Sequence, residues 1–438
     1  MSEHDVSEAE KKRRLPWALA SNAAYSYDAS FTVGSPAFML FMDALKFPKA
    51  SIGMLFSLVP FCGLLSPFVG PHVARAGVKR VFITFWTLRY LVLSGLLLMP
   101  WIHAHWGLGV ALKAMAGMLL SFAVCRAIAE TALTTWTQQF VPEDVRGRFF
   151  GISGVICTIF SMLSVWTASL LLGHLSGMKG YLVIFGIGSM VGVTSALFSI
   201  MTPCGKPVQG RVALLPDARA LLQPLKERNF RNYLMGRGLV LIAQMLVGTF
   251  LPLFFKDKLG LAASQVIQLQ FWLVLASFSS YPWGWLSDRI GGKAVMLIGQ
   301  TGAVVVALAW MVMPRQHAWW TYGMAAFVYF MFGVMGVAYA LGDQRMFYGS
   351  VLPKERNMNH TMVFYSWCQL LLGSGMLLSG RLLDVFKNLH GTIGSVHLDQ
   401  FVPTFGLGAL LASLGAWILC FVRADAPTLG VKQKRVDP

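Results

Sequence analysis

Gly284-Trp285-Leu286-Ser287-Asp288-Arg289-Ile290-Gly291-Gly292-Lys293 is a short charged stretch between two long apolar runs. It has a counterpart 214 residues upstream, Gly70-Pro71-His72-Val73-Ala74-Arg75-Ala76-Gly77-Val78-Lys79-Arg80. Gly70, Arg75, Gly77 and Lys79 fall opposite Gly284, Arg289, Gly291 and Lys293 at that one shift. A second pair of breaks follows the same plan: Pro142-Glu143-Asp144-Val145-Arg146 in the first half and Pro353-Lys354-Glu355-Arg356 in the second. Shared punctuation at a near-constant distance divides the chain into two like halves.

The runs between these breaks decide the class of protein. Hydrophobic residues make up 56% of the 438 positions and charged residues only 13%, against about 25% charged in a soluble domain. Mean hydropathy is +0.60. That supply suffices for about twelve membrane spans of about 20 apolar residues each. Disorder, collagen-like repeats and a disulfide scaffold are excluded on composition. The net charge of +17 is not a nucleic-acid signal, because the basic residues sit in short segments between apolar runs and form no continuous water-facing patch. No CxxC pair occurs among the six cysteines, which read as small hydrophobes.

Twelve spans are expected at about 16–42, 50–73, 80–102, 107–140, 149–173, 180–202, 232–255, 264–286, 294–314, 319–350, 360–383 and 401–422. The first run is too long for a secretory signal and reads as a permanent span. With the N-terminus inside, inner segments hold 23 Lys and Arg and outer segments hold 8, the bias that keeps both termini cytoplasmic. The expected organisation is a tail at 1–15, a six-helix bundle at 16–202, a cytoplasmic loop at 203–231, a second bundle at 232–423 and a tail at 424–438. The loop stretch 217–228 alternates apolar and basic residues and is expected to lie as a short helix on the inner leaflet.

The segment Gly284 to Lys293 resembles the G-x-x-x-D-R-x-G-x-K loop of the major facilitator superfamily, and the Pro-acid-Arg breaks after spans 4 and 10 are also typical of it. The resemblance implies an all-α membrane protein: twelve transmembrane helices in two pseudo-symmetric six-helix bundles, with a central cavity lined chiefly by spans 1, 4, 7 and 10. It also implies a cytoplasmic gate at Gly70, Arg75, Gly77, Gly284, Asp288, Arg289, Gly291 and Lys293. The first copy departs from the family pattern by carrying Ala74 where a carboxylate is usual. That copy is expected to latch differently or less tightly, while Asp288 keeps the family's role in the second. Tight-turn glycines and topogenic charge remain an alternative reading of both loops.

Ionisable residues deep in a span are costly and usually functional. Eight occur: Asp28, Arg89, Lys113, Arg126, Glu130, Arg237, Asp343 and Arg345. All but Arg89 fall on spans 1, 4, 7 and 10. Arg126 and Glu130 are four apart and share a helical face, either as a structural pair or as a pair that meets substrate or proton. Asp28 lies near mid-depth in a polar stretch, Asn22 to Ser30, that hydrocarbon does not suit. Arg89 is expected to pair within its own bundle. Lys113 is expected to snorkel, and Arg237 either to snorkel or to function. The candidate substrate-binding or proton-coupling set is Asp28, Arg126, Glu130, Arg237, Gln244, Asp343 and Arg345, with Asp28, Glu130 and Asp343 the candidate proton carriers, at least one of which is expected to serve.

Motifs for zinc hydrolysis, phosphate loops and nucleophilic serines are absent, so no enzyme, cofactor or metal is expected. The span-5 sequence lacks the Gly-Pro-x-x-x-Gly element of many exporters in the superfamily. The expectation is a monomeric secondary transporter of a bacterial inner (plasma) membrane. It would move a small polar solute, a sugar or organic anion, by proton-coupled symport through alternating access. A proton-driven exporter of amphipathic compounds and a non-transporting receptor or assembly factor are the alternatives. The partners are the solute, the proton and the lipid bilayer, with no nucleic acid.

Overall fold

The computed structural model describes residues 7–175, 177–203, 223–315, 318–352, 357–393 and 396–423. The second Pro-acid-Arg break, most of the central loop with the first half of its expected interfacial helix, and the C-terminal tail lie outside those residues; the second half of that expected helix is a short 3-10 turn, Gln223–Lys226.

Ser7 opens the first helix by accepting a hydrogen bond from the Glu10 amide at 3.2 Å, as an N-cap does. Helix α1 (Glu8–Asp28) then stops, and α2 (Pro36–Ala44) restarts after Ser35 with proline in its first turn. Gly34 between them has φ +95°, so the first expected span is two helices around a seven-residue break. The second is also interrupted: α3 (Lys49–Gly63) and α4 (Ser66–Ala76) meet at 54°, with Pro67 starting the second piece. Helix α5 (Val78–Leu93) leads through a 3-10 turn into α6 (Met99–Phe140). Gly107 interrupts α6 at φ 75°, ψ 177°, so that one helical run ends the third expected span and contains the fourth. Helices α7 (Arg146–His174) and α8 (Met178–Ile200) complete the first half.

The second half repeats the plan. It comprises α9 (Arg228–Gly248), α10 (Leu251–Asp257), α11 (Ala263–Leu275), α12 (Ser280–Ile290), α13 (Gly292–Val312), α14 (Thr321–Met346), α15 (Asn357–Val385) and α16 (Phe401–Cys420). A two-stranded hairpin, β1 (Gly391–Ile393) with β2 (Val396–Leu398), precedes α16. Described helices thus lie over every expected span. By length and apolarity, eight segments among the described residues suffice to cross a membrane, or nine if the bent pair α3 and α4 is one. The shortfall from twelve has local causes. The first and eighth spans are broken into short pieces, and the 63-residue segment Val78–Phe140 holds two expected spans.

Both copies of the repeated loop turn on a glycine in the left-handed region, Gly77 at φ 90° and Gly291 at φ 89°. A side chain there would be strained, so the repeat is a conformational requirement as well as a sequence pattern.

Within the first half α1 packs on α7 and α8, and α5 packs on α6 and α8. Within the second, α9 packs on α15 and α16, and α13 on α14 and α16. Small residues permit close approach: a Cβ on Gly342 would lie 2.4 Å from the Met296 amide nitrogen, the spacing that lets helices associate in lipid by van der Waals contact. Between halves, α3 packs against α15 and α7 against α11. These are spans 2 with 11 and 5 with 8, which a half-turn exchange of the two bundles interconverts.

The polar bonds described between halves all lie at one end, the end reached after the first span. Lys49 pairs with Asp257 at 3.0 Å and Lys256 with Asp43 at 2.5 Å. The Ala50 amide donates to Asp384 at 2.9 Å, and the Ser169 hydroxyl donates to the Ser264 carbonyl at 3.0 Å. Gly53 and Gly380 interlock there: a Cβ on Gly53 would stand 2.7 Å from the Met376 carbonyl, and one on Gly380 2.6 Å from the Lys49 carbonyl. Overpacking of this kind costs about 1–3 kcal/mol, so Gly380→Val should reduce the population closed at this end by roughly tenfold. The check is disulfide cross-linking of K49C with D257C. An undiminished yield in the G380V background would contradict the close-packed interface.

Candidate functional site

The breaks that shorten spans 1 and 2 create space. Along α3, Lys49–Gly53 touches the other half, and the next turns, Phe56 to Gly63, line a hollow of about 250 Å³. Along α15, Gly380 and Asp384 touch the first half while Gln369, Leu372 and Met376 line the same hollow. Gly34 from the span-1 break, Ser66 from the bend, and Arg126 and Glu130 from α6 complete the wall. The hollow therefore begins immediately behind the closed end.

Arg126 Nε lies 2.7 Å from Glu130 Oε1, with side chains 36% and 40% exposed. An i,i+4 pair this wet is worth at most about 1 kcal/mol, so it can be exchanged for contacts with a solute at little cost. Gln369 enters from the opposite half. Its amide occupies the space that a side chain at Gly63 would fill, 2.7 Å from where a Cβ would stand. Donor, acceptor, cation and carboxylate thus meet in one small volume drawn from both halves.

The other expected residues are arranged differently. Asp28 is fully buried inside the first half. Tyr90 donates to its Oδ2 at 2.9 Å, and Arg89 donates to the Tyr90 hydroxyl at 2.6 Å. The Arg89 guanidinium lies 3.6 Å from the Trp86 ring centroid, a cation–π contact that helps hold the buried charge. Asp343 is enclosed in the second half. Tyr233 donates to its Oδ1 at 2.7 Å, and Arg237 Nε lies 3.1 Å from its Oδ2. Arg237 also donates to the Tyr339 hydroxyl at 2.9 Å. Each half therefore holds an Asp–Tyr–Arg cluster of its own. The candidate set is therefore not gathered in one place: of Asp28, Arg126, Glu130 and Asp343, only Arg126 and Glu130 line the hollow. Gln244, half-buried on α9, is not among the lining residues.

Arg345 pairs with Asp288 within the second half. The repeated lysines have matched roles: Lys79 donates to the Ile200 carbonyl at 2.8 Å, and Lys293 to the Cys420 and Val422 carbonyls at 2.6 and 2.9 Å. Each covers the carbonyl end of the last helix of its own half. Arg289 stacks on Trp285 at 3.8 Å. A Cβ on Gly70 would reach Thr131 only at 3.9 Å, and one on Gly284 would meet nothing within 4 Å, so these two glycines mark no close approach. At the same end of the first half, which has Ala74, Lys12 pairs with Asp144 at 2.5 Å. The hydrogen bond from Lys12 holds the Asp144 carboxyl below the usual carboxylate range. Asp288 is 75% exposed, so Asp288→Asn should lower stability by no more than about 1 kcal/mol. Thermal unfolding of the purified variant measures this, and a larger loss would mean the pair is structural.

Sequence reasoning missed Gln369, Tyr90 and Tyr233. Gln369 carries a readable signal, as a lone amide in the apolar run of span 11. The tyrosines carry none, because only the packing brings them to the carboxylates.

Two like bundles of membrane helices, joined at one end and enclosing a hollow that holds Arg126, Glu130 and Gln369, define a multi-pass membrane transporter fold. Residues 20–371 match the family described as Major Facilitator Superfamily, and the chain belongs to it. Solved structures agree on the fold. A mutant of the nucleoside transporter NupG aligns with TM-score 0.71 at 16% identity, over 94% of this chain and 99% of that one. A bacterial homologue of the human lysosomal transporter Spinster, inward-facing and unoccupied, gives 0.61 at 14% identity, over 96% and 99%. A bacterial homologue of the iron transporter ferroportin gives 0.65 inward-facing and 0.60 outward-facing, both at 12% identity over 94% and 98%. No curated protein sequence matches.

Proposed function

We propose that the protein is a proton-coupled symporter of a small polar solute, a sugar, nucleoside or organic anion, in a bacterial inner membrane with both termini cytoplasmic. The observation that carries this reading is the hollow itself: a volume of about 250 Å³ in which Arg126, Glu130 and Gln369 stand among apolar residues, contributed by both halves and sealed immediately beyond by contacts between them. With the N-terminus inside, the sealed end is the outer one and the state is inward-facing. The higher score against the inward-facing ferroportin homologue supports the same state. Transport then proceeds by rocking 16–202 against 232–423, which opens the seam of α3 with α15 and closes the opposite end.

Arg126 and Gln369 supply donors and Glu130 an acceptor for hydroxyl or carboxylate groups of the solute. Among the proposed proton carriers, Glu130 is the one on the wall of the hollow. Asp28 and Asp343 would act through their bundles. The test is counterflow and pH-gradient-driven uptake in proteoliposomes with a panel of sugars, nucleosides and organic anions. Counterflow of one class, with accumulation under an inward proton gradient, is the expected result. Absence of counterflow across the panel would favour a receptor on this scaffold, and competition by hydrophobic cations would favour an exporter.

A further inference from the structure

A second concavity, of about 600 Å³, lies on the outer surface of the second half, where the first turn of α9 meets the end of α16. Its lining is of two kinds. Arg228, Asn229, Asn232 and Arg423 are polar or charged, and Met235, Ile418 and Phe421 are apolar. The Arg423 backbone is clamped, because its amide donates to Asn229 Oδ1 at 2.8 Å and its carbonyl accepts from Asn229 Nδ2 at 3.3 Å. That reciprocal bond fixes Arg423, just past the end of α16, against the first turn of α9, which carries Arg228. Neither arginine side chain has an ion-pair partner among the described residues. Met235 is 51% exposed and Phe421 62%, large apolar groups open to whatever surrounds the helices.

A soluble anion would use the arginines and leave the apolar lining wasted. A neutral lipid would use the apolar lining and leave two like charges uncompensated. An amphiphile with an anionic head and acyl tails satisfies both. The place also fits, since these residues begin and end membrane spans on the same side of the bilayer, the depth of lipid phosphates. Met235 lines a neighbouring fissure as well. That fissure is about 480 Å³, almost wholly apolar, and runs between Phe68 of the first half and Trp367 of the second, with Arg231 at its edge.

We propose that this groove seats one anionic phospholipid, with its phosphate between Arg228 and Arg423 and its acyl chains along Met235, Ile418 and Phe421. Guanidinium groups suit phosphate because they donate in a planar fork. The seat lies apart from the central hollow and makes no demand on the solute transported.

The test uses the full chain in a neutral detergent, titrated with phosphatidylglycerol and read by thermal unfolding and native mass spectrometry. A saturable rise in Tm and a retained lipid adduct are expected, and R228Q/R423Q should weaken the apparent affinity at least about tenfold, the loss of roughly two charge-assisted contacts. K387Q, at the other end of the molecule, should behave as wild type. Four results would overturn the proposal: equal binding by R228Q/R423Q, equal stabilisation by phosphatidylcholine, saturation by inorganic phosphate alone, or lipid binding that appears only after residues 424–438 are removed. The last would mean that the tail itself fills the groove.

Discussion

Glu130→Gln should abolish accumulation of solute while leaving exchange intact. Proteoliposomes holding the variant should reach an inside-to-outside ratio of about 1 under an inward proton gradient, as an uncoupled carrier does when its intramembrane proton site is gone. Counterflow, which needs no net proton movement, should persist within about tenfold of wild type, since losing one hydrogen-bond acceptor for the solute costs about 1 kcal/mol. The fold should tolerate the change. The carboxylate is 40% exposed and its pair with Arg126 is a solvated i,i+4 contact; Gln keeps the length and one acceptor oxygen. This separation distinguishes a coupling role from a merely structural one, because a structural residue would lower both assays together. Variant liposomes that concentrate solute as wild type does would remove Glu130 from the mechanism and leave Asp28 or Asp343 to carry the proton.

How far the sequence discloses this arrangement depends on which residues are asked. The repeated loop is legible because its constraints are local. Gly77 and Gly291 need positive φ, and Lys79 and Lys293 need a long cationic arm to reach helix-terminal carbonyls, so residue type and position are both fixed. The intramembrane charges are legible because hydrocarbon does not accept them unpaired. Their partners are not legible. Asp28 lies 62 residues from Tyr90, and Asp343 lies 110 from Tyr233; no periodicity within a span encodes such meetings.

The walls of the hollow are the instructive case. The family resemblance implies spans 1, 4, 7 and 10, whereas the observed lining comes from spans 1, 2, 4 and 11. Two local features account for the difference. The 54° bend in span 2 and the break in span 1 open room beside Arg126 and Glu130. On the other side, Phe347 and Phe364 stack on each other at 4.1 Å and Tyr233 packs beside the pair, 5.7 and 5.8 Å from their ring centroids. Tyr233 donates to Asp343, which also pairs with Arg237, so the charged groups of α9 and α14 are engaged with each other inside the second half. A run of aromatic residues reads equally well as cavity lining or as core, and only packing decides.

Arg237→Met should be strongly destabilising. Arg237 and Asp343 are 16% and 9% exposed, so removing the guanidinium leaves a carboxylate in a place with little water and only the Tyr233 hydroxyl to meet it. Breaking a buried pair in this way costs about 3–5 kcal/mol, much of it the penalty on the charge left behind. The double variant R237M/D343N removes both charges and should recover more than half of that loss, because desolvation of the orphaned carboxylate no longer applies. Thermal unfolding of both proteins in the same detergent measures the difference. Equal Tm values for the single and double variants would mean that the pair is not the buried unit described. The logic extends to rocking. Arg237 and Asp343 belong to one half, as Asp28 and Arg89 belong to the other, so neither cluster is pulled apart when the halves move. Under the proposed rocking, the ion pairs that would break in each cycle are Lys49–Asp257 and Lys256–Asp43, which cross between halves. Taken as pairs these are wetter, with Lys49 and Asp257 17% and 29% exposed and Lys256 and Asp43 37% and 21%, and a solvated pair is worth less than a buried one, down to about 0–1 kcal/mol when exposed. Strong pairs within the rigid bodies and weak pairs across the moving seam are what alternating access requires, and the difference in Tm loss between R237M and K256M should show that ordering directly.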